Sequence, residues 1–131
     1  MTHAHPLEDL VTIMIRPSTL RMHIEDTLAL IADREAQLRY QAEVPCVDVS
    51  MELFLQWEDW YRPASEAFTH AFDRHEAETL RVFHDVFTAV RSHCMDRHLP
   101  LARLVQTTAW KRYSGAARTA LGRLRLAVAA A

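Results

Sequence analysis

Glycine is nearly absent from this chain: only Gly115 and Gly122 occur among 131 residues. Tight turns draw heavily on glycine, so its scarcity argues against an all-β fold and for helices with short connections. Cysteine is equally scarce. Cys46 and Cys94 form neither a CxxC pair nor a zinc-type Cys/His set. No segment approaches the ~20 consecutive apolar residues that a membrane span requires. The longest apolar run near the N-terminus, Val11 to Ile15, is broken by Thr12. A basic region followed by an apolar core of about 7–15 residues, the mark of an export signal, is also missing there. The chain is therefore expected in the cytoplasm, with two reduced thiols that are buried or half-buried. Lysine is reduced to Lys111 against fourteen arginines, and no acid follows Asp96.

What is present points to helix. Half the residues are hydrophobic, which argues against disorder. Ala, Leu, Arg and Glu, all good helix formers, are abundant. The spacing predicts an all-α fold: a single compact bundle of five or six helices over residues 1–131, its longest and central helix at about 74–98. Residues 1–5, with His3 and His5 ahead of Pro6, are expected to be mobile. A short helix is expected at 6–15, with a strand over Val11–Ile15 as its rival and 46–49 as the partner of that strand.

Leu20, Ile24, Leu28, Ile31, Glu35 and Leu38 then follow at helical spacing, giving one amphipathic helix at 18–41, capped by Ser18 or Thr19. A connector, EVPCVDV, leads to a third helix at about 51–61, capped by Ser50. A short helix at 64–72 follows the Arg62-Pro63 break. Asp73 and Glu76 have the spacing of a capping box at the head of the central helix. Leu80, Phe83, Phe87, Val90 and Cys94 form its seam, and Leu99-Pro100 ends it. Leu101, Leu104 and Val105 suggest one or two further helical turns. The last helix, about 109–127, is capped by Thr107 or Thr108. It carries an apolar face of Trp110, Tyr113, Ala117, Leu121, Leu124 and Val128. The two glycines lie seven apart on it, which suggests close approach of another backbone.

The charge is segregated. Residues 1–61 hold 11 acids and 4 bases, whereas 62–131 hold 6 acids and 11 bases. Either a face is reserved for a charged partner, or the two halves neutralise one another within a chain or across a dimer.

Eight histidines raise a metal reading. HExxH, Glu-x-x-His and His-x-x-x-Glu are all absent. The pairs His93/Asp96 and Glu66/His70 have helical ligand spacing, but each is isolated. His84, Arg91 and His98, seven apart, read as a half-solvated edge. No metal, cofactor or catalytic residue is assigned. There is no GxSxG, no glycine-rich oxyanion turn and no phosphate loop, and Cys94 and His93, as neighbours on a helix, point apart. The chain is accordingly read as non-enzymatic.

Trp57, Trp60, Tyr61 and Pro63, then Phe68 and Phe72, Glu76, Leu80, Phe83, Phe87 and finally Trp110 make a pattern over about 57–121. It resembles that of small uncharacterised bacterial all-helical proteins. The resemblance implies helix packing and no activity. Some small acidic helical proteins of that kind neutralise a basic toxin as immunity proteins, an analogy that implies a protein partner.

The leading expectation is a cytoplasmic protein–protein interaction module, self-associating as a homodimer or binding another protein. Its candidate surface is Glu52, Trp57, Glu58, Asp59, Trp60 and Tyr61, where aromatic residues of the anchoring type sit among acids. Core burial explains those aromatics equally well. The alternative is nucleic-acid or other anionic-partner binding through Lys111, Arg112, Arg118 and Arg125, with Lys111, Arg118 and Arg125 recurring every seven residues as a ridge. Against nucleic acid stands the net charge of −2. A third reading is metal-dependent activity using the histidines. Membrane binding is not expected.

Overall fold

The computed structural model describes residues 15–130. Seven helices occur among them, in the order α1 (Pro17–Ala32), α2 (Arg34–Glu43), α3 (Val49–Trp60), α4 (Glu66–Ala71), α5 (Arg74–Met95), α6 (Leu101–Leu104) and α7 (Thr108–Ala130). The fold is all-α, as its glycine-poor composition implies, but the five or six expected helices are too few. No strand occurs among the described residues, and 46–49 is part turn and part helix start. The expected helix at 6–15 and the mobility of 1–5 fall essentially outside the described residues.

The extra helix arises at Asp33. A continuous helix over 18–41 is interrupted there by an extended residue with φ −112° and ψ 94°. The Asp33 side chain accepts from Ala36 N–H at 3.0 Å and so starts α2 afresh. The interruption leaves carbonyls at the end of α1 without helical partners. Gln37 answers them: its Nε2 donates to Leu30 O at 2.9 Å and Ile31 O at 2.7 Å. Its Oε1 accepts from Trp110 Nε1 at 2.9 Å. The break also shifts the helical phase. Gln37 is completely buried, while Glu35, on the expected stripe, is exposed.

Other boundaries have local causes. Pro17 occupies the first turn of α1, and neither Ser18 nor Thr19 caps it. α3 begins two residues before its expected start because Asp48, rather than Ser50, accepts from Met51 N–H; Ser50 Oγ instead donates to Asp48 at 2.6 Å. The capping box at Asp73 forms as its spacing implies, with Asp73 accepting from Glu76 N–H and Glu76 from Asp73 N–H. α5 stops at Met95, short of the expected 98, because the chain turns through His98 with φ 51° ahead of Leu99-Pro100. With 22 residues it is one shorter than α7, the longest helix among those described.

α7 lies between α1 and α5, and α1 also packs on α3 and α4. Burial of the apolar faces dominates such packing, at about 1.5–3 kcal/mol for each large side chain fully removed from water. Phe54, Trp57, Phe83, Phe87, Trp110 and Tyr113 form a continuous aromatic centre, with ring centroids 4.7 to 6.4 Å apart. Arg21 fastens the periphery of this core, pairing with Glu25 and Glu76 and donating to Ala71 O. The two glycines do not mark a close approach within the chain: a Cβ added at Gly115 or Gly122 would meet nothing within 4 Å.

Candidate binding surfaces

The two expected surfaces fare differently. Of the α3 set, Trp57 is fully buried and donates through Nε1 to His84 Nδ1 at 3.1 Å. Its position on the inner face of α3 places it in the core and removes it from any partner surface. Trp60 is half-buried, stacked on His23 with centroids 4.0 Å apart and planes within 4°. Tyr61 stacks on Trp57 and His84 at 4.9 and 4.6 Å. The aromatic rings thus find their partners inside the chain. Glu58 pairs with Arg91, while Glu52 is half-buried and Asp59 exposed.

Lys111, Arg112, Arg118 and Arg125 are all exposed on α7, together with Arg123. This helix contains no acid. Ion pairs among the described residues join Arg21 to Glu25 and Glu76, Arg81 to Glu78 and Asp85, and Arg91 to Glu58. Two of these, Arg21–Glu76 and Arg91–Glu58, link the acidic and basic halves, yet none involves α7. The only hydrogen bond made by an α7 cation among the described residues is Arg118 Nη2 to Ala32 O at 3.0 Å, across the α1–α2 break. Leu126 and Val128, 70% and 57% exposed, extend the same helix with apolar surface. Val128 thus leaves the apolar face on which its spacing had placed it.

Between α2 and α7 lies a depression of about 190 Å³ lined by Arg34, Val105, Trp110, Lys111, Ser114 and Arg118. It gathers two of the four expected ridge residues. Arg112 and Arg125 do not line it. Sequence spacing does not single out Arg34 and Ser114 together, because their proximity comes from the tertiary fold. The spacing of Ser114 between Lys111 and Arg118, at i+3 and i−4, was the one available signal.

His84 accepts the Trp57 indole proton on Nδ1, so its own proton sits on Nε2. Burial lowers its pKa, and Asp85 acts in the opposite sense. Tyr113 is buried in the aromatic centre, which raises its pKa; Cys94 adds to the rise and Arg91 opposes it. Both cysteines line a cleft of about 640 Å³ shared with Met51, Phe54, Met95 and His98. Cys46 is exposed there, contrary to expectation, because it sits in the turn between α2 and α3. Cys94 is buried, and burial raises its pKa. Among the described residues no three His, Cys, Asp or Glu side chains gather in a group able to hold a metal ion. No described helix is long and apolar enough to cross a membrane.

No protein-family model, curated protein or solved structure matches this chain.

Proposed function

We propose that the protein is a non-enzymatic interaction module of the cytoplasm that binds an acidic protein segment on the outer face of α7. One observation carries this reading: α7 displays five exposed cations and no acid, and none of the five is in an ion pair among the described residues. Exposed pairs contribute little to folding, about 0–1 kcal/mol each, so such a concentration of one sign is better spent on steering a partner. Leu126 and Val128 add the aliphatic contact that protein partners use.

Nucleic acid fits the same face less well. Trp110 and Tyr113 are buried, so α7 offers no exposed ring for base stacking, and the net charge is −2. The acidic side of α3 keeps one role, as the surface a second copy would present to α7 in a head-to-tail pair.

The test uses polyglutamate and a DNA duplex as probes, titrated at low and high salt, with light scattering on the untagged chain. Polyglutamate should bind in a salt-dependent manner, and Arg118→Glu/Arg125→Glu should abolish that binding. Preferential binding of the duplex would move the reading to nucleic acid. Absence of any interaction at low salt would end it.

A further inference from the structure

The depression between α2 and α7 differs from an ordinary basic surface in one respect. Ser114 is only 7% exposed, and its hydroxyl has no hydrogen-bond partner. A serine inside a helix can point to solvent or bond back to the carbonyl one turn earlier; Ser114 does neither. A buried orphan hydroxyl is costly unless something satisfies it. Three cations surround the same space: Arg34 from the first turn of α2, and Lys111 and Arg118 from α7. Lys111, Ser114 and Arg118 fall at i, i+3 and i+7, along one face of the helix. Arg118 is held at the α1–α2 break by its bond to Ala32 O. The walls are Val105 and Trp110, both buried, and an apolar wall strengthens the field of the cations beside it. Asp33 and Glu35 line the adjoining depression rather than this one, and the Asp33 carboxylate is engaged by Ala36 N–H.

We infer that this depression is a binding site for a phosphate-sized tetrahedral oxyanion. Arg34, Lys111 and Arg118 supply charge, and Ser114 supplies a neutral donor after a rotation about χ1. The group is either free phosphate or a phosphomonoester carried by the partner. The inference deepens the α7 reading and rests on it for the identity of the partner; binding of phosphate itself does not depend on it.

Inorganic phosphate titrated into the full chain at low ionic strength, followed by amide NMR, tests the site. Saturable one-to-one binding is expected, with shifts near residue 34 and across 111–118. Arg34→Gln and Lys111→Gln should each weaken it about tenfold, the scale of one charge-assisted hydrogen bond. Ser114→Ala should weaken it as well while leaving thermal stability unchanged or raised, which a purely structural serine would not do. Binding that does not saturate, or that all three variants leave untouched, overturns the site. O-phosphoserine run in parallel names the source: tighter binding than phosphate indicates a partner-borne monoester, and equal or weaker binding the free anion, the site standing in both cases. Arg125→Glu lies outside the depression and should spare phosphate while impairing polyglutamate. Loss of the polyglutamate interaction in the parent protein, with phosphate binding intact, would remove the partner reading and keep this site.

Discussion

Replacing Gln37 with leucine tests how the break between α1 and α2 is tolerated. The substitution keeps side-chain volume roughly constant and deletes three hydrogen bonds. Their partners do not suffer equally. Leu30 O also accepts from Asp33 N–H at 3.2 Å, so it keeps a partner. Ile31 O and Trp110 Nε1 have no such second bond among the described residues, and both are left unsatisfied beside the core. A buried polar group without its partner costs about 1–3 kcal/mol. Two of them give roughly 2–6 kcal/mol, from which the greater hydrophobicity of leucine returns about 1. The expected loss is therefore about 1–5 kcal/mol, a sizeable part of the stability of a domain this size. Urea unfolding followed by far-ultraviolet circular dichroism measures it without relying on Trp110 as reporter. Trp110→Phe closes a double-mutant cycle, since it removes the indole donor that Gln37→Leu strands. The double variant should be more stable than additivity implies, by about 1 kcal/mol. A Gln37→Leu loss below about 0.5 kcal/mol, or a strictly additive cycle, would refute the claim that one glutamine holds the break closed.

Two further stability predictions follow from single sites. His84 accepts from Trp57 only while Nδ1 is unprotonated, and its pKa lies below the ordinary value of 6.5. The unfolded chain therefore takes up the proton first, so the contribution of His84 is complete above about pH 6.5 and declines as pH falls below it. Urea midpoints at pH 7.5 and 5.5 should differ more for the parent than for His84→Phe; parallel pH profiles would discard the coupling. Gly115→Ala and Gly122→Ala should each stabilise the monomer by up to about 1 kcal/mol, because both sit inside α7 with open space where a Cβ would go. A fall in melting temperature for either would show that the space is not open in solution, and weakened self-association without such a fall would place the glycines at an interface.

The parts of the fold legible in the sequence are those fixed by local rules. The Asp73/Glu76 capping box, the seam from Leu80 to Cys94 and the prolines that end elements all depend on neighbours within a turn or two. The Asp33 break was not legible, although Asp33 is a competent cap, because the apolar stripe runs through Ile31 and resumes at Leu38. Periodicity alone cannot distinguish a continuous helix from two helices joined at one extended residue, when the second restarts slightly out of phase. The distinction lies in Gln37, whose burial makes sense only once Leu30, Ile31 and Trp110 converge on it.

The same reasoning separates the two candidate surfaces. On α3, aromatic residues among acids satisfied equally a partner-facing and a core-facing reading, and only tertiary packing chose between them. Trp57 spans the distance to His84, and Trp60 lies flat on His23, so neither ring needs an external partner. On α7 the heptad recurrence of Lys111, Arg118 and Arg125 was a property of one helix and could be read directly. What the helix could not reveal was that Arg34, seventy-seven residues before Lys111 in sequence, shares a depression with two of those cations. The Asp33 break brings it there, since α2 starts at that point with Arg34 as its first residue. The irregularity that escaped the sequence therefore also supplies the third cation. A substitution that healed the break, such as Asp33→Ala, should shift Arg34 relative to α7 and weaken phosphate binding while leaving the five α7 cations in place. Unaltered phosphate affinity in a variant shown by NMR to carry a continuous helix would detach the site from the break.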